Sequence, residues 1–221
     1  MIKKNDFIEI EFTGKIKDGG EIFDTNIKED AEKAEFDLKQ IKPFIIAIGN
    51  NMIVKGLDNE LEGKDIGNLS INVTPELGFG KRDSKLVRMI PLKAFTEQKI
   101  NPQKGMQLSL DGNVAKILSN SGGRVLVDFN NPLAGKELVY DVRIKRKVDD
   151  ENEKVNALQD FFFRKRFDFN KKEKEITFKL KDAEKQIEKF IELMAKPFED
   201  ILGLKVKTEI VKEEKKVEKK E

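Results

Sequence analysis

The sequence predicts an α+β fold: an antiparallel β-sheet wrapped on a short helix, with an inserted small β domain and a C-terminal α/β domain. Three observations predict it. Up to about residue 148 apolar and polar side chains alternate with period two, as in half-buried strands. One stretch within that region has helical spacing instead, and after Asp149-Asp150-Glu151 the spacing becomes helical and the aromatic and charged residues denser.

The elements follow in order. Ile8, Ile10 and Phe12 alternate with Glu9, Glu11 and Thr13, and Asp18-Gly19-Gly20 supplies a turn before Glu21-Ile22-Phe23-Asp24, which makes a hairpin. A strand over 44–48 ends at Gly49. Ile53, Leu57 and Leu61 lie on one helical face, and Gly63 is placed to end that helix. Leu69, Ile71 and Val73 alternate with Ser70, Asn72 and Thr74. Strands over 86–90, 106–110, 114–118 and 124–129 form a small β module, with turns at Asp111-Gly112-Asn113 and Ser121-Gly122-Gly123. Leu138, Tyr140, Val142 and Ile144 make a further strand, with Val139 the one misfit, expected to return to the first sheet.

Beyond the boundary, Val155, Leu158 and Phe162 fit one helix face and 175–180 alternates as a strand. Asp182 is placed to cap a helix carrying Ile187, Phe190, Ile191, Met194 and Phe198 on one stripe. Pro197 is expected to kink or break that helix, because proline loses a hydrogen bond and clashes with the preceding turn. Gly203 allows a stop before a strand over 205–211, and the charged end of the chain is expected to be disordered.

Composition excludes much chemistry. There is no cysteine and no histidine, which removes disulfides, thiolate nucleophiles, Ser-His and Cys-His catalysis and the commonest metal ligand. Lys and Arg number 43 against 41 Asp and Glu, and the two signs are mixed, so no nucleic-acid partner is expected. Arg164-Lys165-Arg166 after Phe161-Phe162-Phe163 reads as an apolar helix face with a solvated end. The amino terminus lacks the apolar run of a signal peptide, and no run is long enough to span a membrane, so a soluble cytoplasmic protein with no membrane partner is expected.

No phosphate loop, dinucleotide fingerprint or metal-ligand constellation is present. More informative are the apolar residues beside turns: Phe12, Phe23, Phe44, Ile53, Val54, Leu57, Phe79 and Tyr140, with Asp24 directly after Phe23. By spacing alone they read as plain core.

Their order resembles the FK506-binding (FKBP) class of peptidyl-prolyl isomerases. The resemblance rests on Phe12-Thr13-Gly14-Lys15, Asp18-Gly19-Gly20-Glu21-Ile22-Phe23-Asp24, Pro43-Phe44, Ile53-Val54-Lys55-Gly56-Leu57 with Leu61-Glu62-Gly63, Thr74-Pro75-Glu76-Leu77-Gly78-Phe79-Gly80 and Leu138-Val139-Tyr140-Asp141-Val142. The run 127–136, with Asn131-Pro132-Leu133-Ala134-Gly135, resembles the junction where SlyD-type members return from a domain inserted in the flap. The carboxy-terminal part resembles the extra domain of the long archaeal members.

The resemblance implies an FKBP-like isomerase domain at 1–84 and 130–148, an insert-in-flap chaperone domain at 85–129, a C-terminal α+β domain at 149–212 and a disordered charged tail at 213–221. It implies a prolyl pocket walled by Phe12, Phe23, Phe44, Ile53, Val54 and Tyr140, floored by Leu57, edged by Asp24 and closed by Leu133. Phe79 stands where most members have tyrosine, which removes one hydrogen bond to a ligand carbonyl, and Asn131 stands where relatives commonly have histidine. The histidine-rich metal-binding tail of some relatives has no counterpart, so neither metal nor cofactor is expected. The implied activity is prolyl isomerisation that speeds protein folding, with unfolded polypeptides containing X-Pro bonds as partners and a carboxy-terminal domain that dimerises. The competing readings are a non-enzymatic holdase and an assembly adaptor that bind proline-containing segments.

Overall fold

Alternation at the amino terminus folds as a strand, β1 (Phe7–Ile16), which turns through Gly19 and Gly20, both at positive φ, into β2 (Ile22–Thr25). The computed structural model describes residues 1–110 and 112–211. A six-residue helix, α1 (Lys28–Lys33), leads to β3 (Phe44–Ala47), antiparallel to β1 with Phe7 opposite Ala47 and Ile10 opposite Phe44. The short helix α2 (Lys55–Leu61) begins after Ile53, so only Leu57 and Leu61 of the expected stripe lie within it, and both are buried. Then come β4 (Gly67–Val73), β5 (Val87–Pro91), α3 (Leu92–Glu97), β6 (Gln107–Leu110), β7 (Asn113–Ser121), β8 (Arg124–Asp128) and β9 (Leu138–Lys147). Strand β9 does return to the first sheet, whose order is β2-β1-β9-β4 with β3 also on β1.

The chain divides into two compact units, one of Met1–Thr13, Asp24–Ile71 and Asp141 onward, the other of Gly14–Phe23 and Asn72–Tyr140. In the first, Ile8, Ile10, Ile46, Ile48, Leu57 and Leu61 are fully buried. In the second, β5, β8, β7 and β6 form a separate antiparallel sheet in that order, with an irregularity in register between Ile117 and Ser119. Phe95, Ala115, Ile117, Val125 and Val127 make its own core, which Ile90, Leu92, Ile100 and Phe129 extend.

The carboxy-terminal part of the first unit starts with α4 (Glu151–Phe162), capped by Asp150, whose carboxylate accepts the Glu153 N–H at 2.8 Å. It packs on β3. Buried Gln159 in α4 both accepts the Phe167 N–H, at 2.7 Å, and donates to the Phe167 carbonyl, fixing the chain that enters β10 (Asp168–Lys172). Strand β11 (Glu175–Lys181) lies between β10 and β12 (Lys205–Val211), antiparallel to the first and parallel to the second, with α5 (Glu188–Leu202) in the connection. The core here is aromatic: the Phe163 and Phe198 rings stack at 5.5 Å, and Phe178 meets Phe198 edge-on at 5.7 Å.

One expectation fails in this part, and of the kink or break expected at Pro197 the break does not occur. Residues Asp182–Ile187 form a 3-10 segment rather than the first turns of a capped α-helix; the Glu184 carboxylate accepts the Lys181 N–H there. Helix α5 runs unbroken through Pro197. Proline withholds only its own N–H, due to the carbonyl of residue 193, and Leu193 is 69% exposed, so water can serve that carbonyl while buried Phe198 anchors the next turn. The expected tail at 213–221 and Asp111 of the expected turn lie outside the described residues.

Candidate functional site

In the first unit, β1 places buried Phe12 against Phe44 of β3, with ring centroids 5.9 Å apart at 52°. Leu57 is buried in α2, and Ile53 and Val54 are half-buried just ahead of it. That approach is held by Asp58, also buried, whose carboxylate accepts the N–H of Gly49 at 2.8 Å and of Asn51 at 3.0 Å. Asn26 holds the other side. Its Oδ1 accepts the Phe12 N–H at 2.7 Å, its Nδ2 donates to the Ile10 carbonyl at 2.8 Å, and its own N–H donates to the Phe12 carbonyl at 3.2 Å. The Thr25 hydroxyl donates to that carbonyl as well, and Thr13 donates to Asp30 at 2.6 Å.

Asp24, between Phe23 and Thr25 in β2, is exposed as a residue, yet the packing around its carboxyl group desolvates it and pushes its pKa up, against a smaller downward pull from the Thr25 N–H.

In the second unit, Phe23 meets Tyr140 edge-on at 5.7 Å and Phe79 edge-on at 6.0 Å. Gly14 makes this possible: a Cβ there would stand 2.8 Å from Phe23 Cζ and 3.0 Å from Tyr140 Cε1. Leu133 is half-buried in a turn that Asn131 holds by accepting the Leu133 N–H at 2.8 Å. Phe12 and Phe44 are thus brought together, as are Phe23, Phe79 and Tyr140.

The sequence reading gave no role to Gly14, Asn26 or Asp58. Gly14 was legible, since a glycine inside a strand pattern marks close approach by a neighbour. A buried acid such as Asp58 on a short helix reads as solvent face. Among the described residues no acidic cluster capable of holding a metal ion occurs, and no helix is long and apolar enough to cross a membrane. A cavity of about 370 Å³ in the carboxy-terminal part is lined by Lys165, Phe167, Glu184, Gln186, Ile187 and Phe190, none of them among the residues above.

Apolar side chains and aromatic rings thus gather on a strand-and-turn frame, with one desolvated carboxyl, Asp24, beside them. A short-type peptidyl-prolyl cis-trans isomerase of Methanocaldococcus jannaschii is 30% identical over 156 residues, 69% of this chain and 98% of that protein. The FKBP-type peptidyl-prolyl cis-trans isomerase SlyD of Aeromonas hydrophila is 29% identical over 129 residues, 57% of this chain and 55% of SlyD. An FKBP-type 16 kDa peptidyl-prolyl cis-trans isomerase of Escherichia coli K12 is 24% identical over 149 residues, 65% and 91% of the two chains. The chain belongs to the FKBP-type peptidyl-prolyl cis-trans isomerase family. Within it, residues 88–133 match the family described as FKBP26, IF domain.

Proposed function

We propose that this protein catalyses rotation about X-Pro bonds in folding polypeptides, in the cytoplasm, and that residues 85–129 act as a chaperone domain that holds the unfolded chain. The barrier to rotation is about 18–20 kcal/mol because twisting removes amide resonance. No covalent bond breaks and no proton moves, so the lack of histidine and cysteine is no obstacle. The twisted amide separates less charge than the planar one. An apolar surface that strips water from the prolyl amide therefore disfavours the ground state more than the transition state. The prolyl-binding surface is assigned to Phe12, Phe44, Ile53, Val54 and Leu57, with Asp24 at its edge, and to Phe23, Phe79, Leu133 and Tyr140. The observation that carries the reading is the edge-on packing of half-buried Phe23 with half-buried Phe79 and buried Tyr140, which Gly14 leaves room for: an aromatic cluster beside turns, only partly covered at Phe23 and Phe79.

The chaperone part is supported by apolar side chains left in water on 85–129, namely Met89, Met106 and Val114. Methionine adapts to many partners. The same exposure also favours the holdase alternative. For the carboxy-terminal domain, 149–212, we read a dimerisation role, supported by Phe190 and Leu193 standing exposed on α5. A protease-coupled assay on a short proline peptide tests the central reading. Acceleration of the cis-to-trans step is expected; no acceleration by folded protein would leave the holdase.

A further inference from the structure

Residues 80–86 lead into the β5–β8 sheet and residues 128–135 lead out of it, and the two segments are tied together rung by rung. The last pair of the β5–β8 ladder is Val87 with Asp128, and one step further the Phe129 N–H donates to the Leu86 carbonyl at 3.0 Å. Next, the side chain of Asn130 takes the place of a peptide unit. Its Oδ1 accepts the Asp83 N–H at 2.8 Å and its Nδ2 donates to the Asp83 carbonyl at 3.0 Å. The remaining Nδ2 hydrogen goes to Asp128 Oδ1 at 2.7 Å, which also accepts the Asn130 N–H at 3.0 Å, while Asp128 Oδ2 pairs with the Arg82 guanidinium. The Arg82 stem lies over Gly135, whose N–H donates to the Gly80 carbonyl at 2.8 Å. Asn130 and Asp128 are each 8% exposed, so water competes little for these bonds, and every polar atom of the amide is used.

The clasp lies beside the candidate site without forming part of it. Phe79 immediately precedes Gly80, and Leu133 lies between Asn130 and Gly135. The Leu133 turn has its own supports, from Asn131 Oδ1 to the Leu133 N–H and from the Asn131 carbonyl to the Ala134 N–H at 2.9 Å. Loss of Asn130 therefore leaves that turn intact and frees the root of the inserted sheet.

We propose that Asn130, with Asp128 and Arg82, is a positioning device that mounts the inserted sheet at a fixed attitude on the segments carrying Phe79 and Leu133, so that a polypeptide held by the insert meets the isomerase surface at a set position. The proposal rests on the reading that the insert holds client chains. A rigid mount raises the effective concentration of the client's prolines; a loose one spreads the same chain over a larger volume and adds nothing for a short peptide the insert does not hold.

The test uses the full chain and its Asn130→Ala variant on two substrates, a short proline peptide and an unfolded protein whose refolding is limited by proline isomerisation. Peptide kcat/KM is expected to stay within about two-fold. Catalysis of refolding is expected to fall by about ten-fold. Because the chain has no cysteine, nitroxide labels can be placed at Asp18→Cys and Ser119→Cys alone, and their distance distribution is expected to broaden in the variant. An unchanged refolding-to-peptide ratio, or equal loss on both substrates, overturns the clasp. Should Asn130→Ala not fold, Arg82→Ala carries the same test with the same criterion. A parent chain without peptide activity, or one whose ratio survives deletion of 85–129, removes the underlying reading and the clasp with it.

Discussion

Asp24 carries its charge against resistance. Burial of its carboxyl raises the folded pKa above the unfolded one, so the stability Asp24 contributes is fully present below the unfolded pKa and is lost as pH rises through the folded pKa. Asp24→Asn should accordingly raise the melting temperature at pH 7, with the gain vanishing as pH falls below the carboxylate range; a gain that persists in acid would show that charge is not its cause. Asp24→Ala should lower peptide isomerisation while leaving the fold intact, and unchanged turnover would remove Asp24 from the site. Asp128 behaves oppositely. Burial alone would raise it, but the Asn130 bonds and the Arg82 charge outweigh that and hold its pKa low, so its contribution is present above the unfolded pKa and lost as pH falls. The candidate site residues stand out in the sequence as apolar groups beside turns, whereas Asn26 and Asp58, which hold the backbone around Phe12 and ahead of Leu57, are ordinary polar letters whose partners are backbone groups.

At the scale of the element, the inserted sheet has a core of its own, and deleting 85–129 with a short closure removes that core whole. We expect the deletion to retain activity on a short peptide and to lose most catalysis of proline-limited refolding; equal loss on both would refute the division of labour. Such elements were legible where a face alternates: β7, β8 and β9 fall within a few residues of the predicted strands. Those that escaped have little face to read. Helix α1 buries Ala31 alone, α3 buries Phe95 alone, and β10 has only half-buried Phe169 between exposed polar residues. Helices of six residues are too short to stand by propensity and exist because tertiary contacts hold them. The parallel pairing of β11 with β12 leaves no mark on the period of either strand.

For the whole molecule, the carboxy-terminal part is bound into the first unit by more than a linker. Arg146 in β9 pairs with Glu9 of β1 and bidentately with Glu153 of α4, the Lys154 ammonium lies 5.8 Å from the Phe7 ring, and Val155 and Leu158 are buried. Truncation at Val148 should therefore lower the melting temperature, at about 1.5–3 kcal/mol for each lost apolar side chain. Light scattering should give the full chain a mass near twice 25.4 kDa and the truncated chain its own monomer mass; a monomeric full chain would end the dimer reading. Strand order has a consequence in time. Strand β9 is the last of its sheet to be synthesised, yet it lies between β1 and β4, so that sheet cannot close until 138–147 arrive. The β5–β8 sheet draws only on 87–128, and local contacts form sooner. In pulse-labelled refolding the amides of Val125 and Val127 should gain exchange protection before those of β9, and simultaneous protection would contradict this. On the ribosome, then, the β5–β8 sheet can be finished while β9 is still to be made, and the unfolded chain nearest to it at that stage is its own.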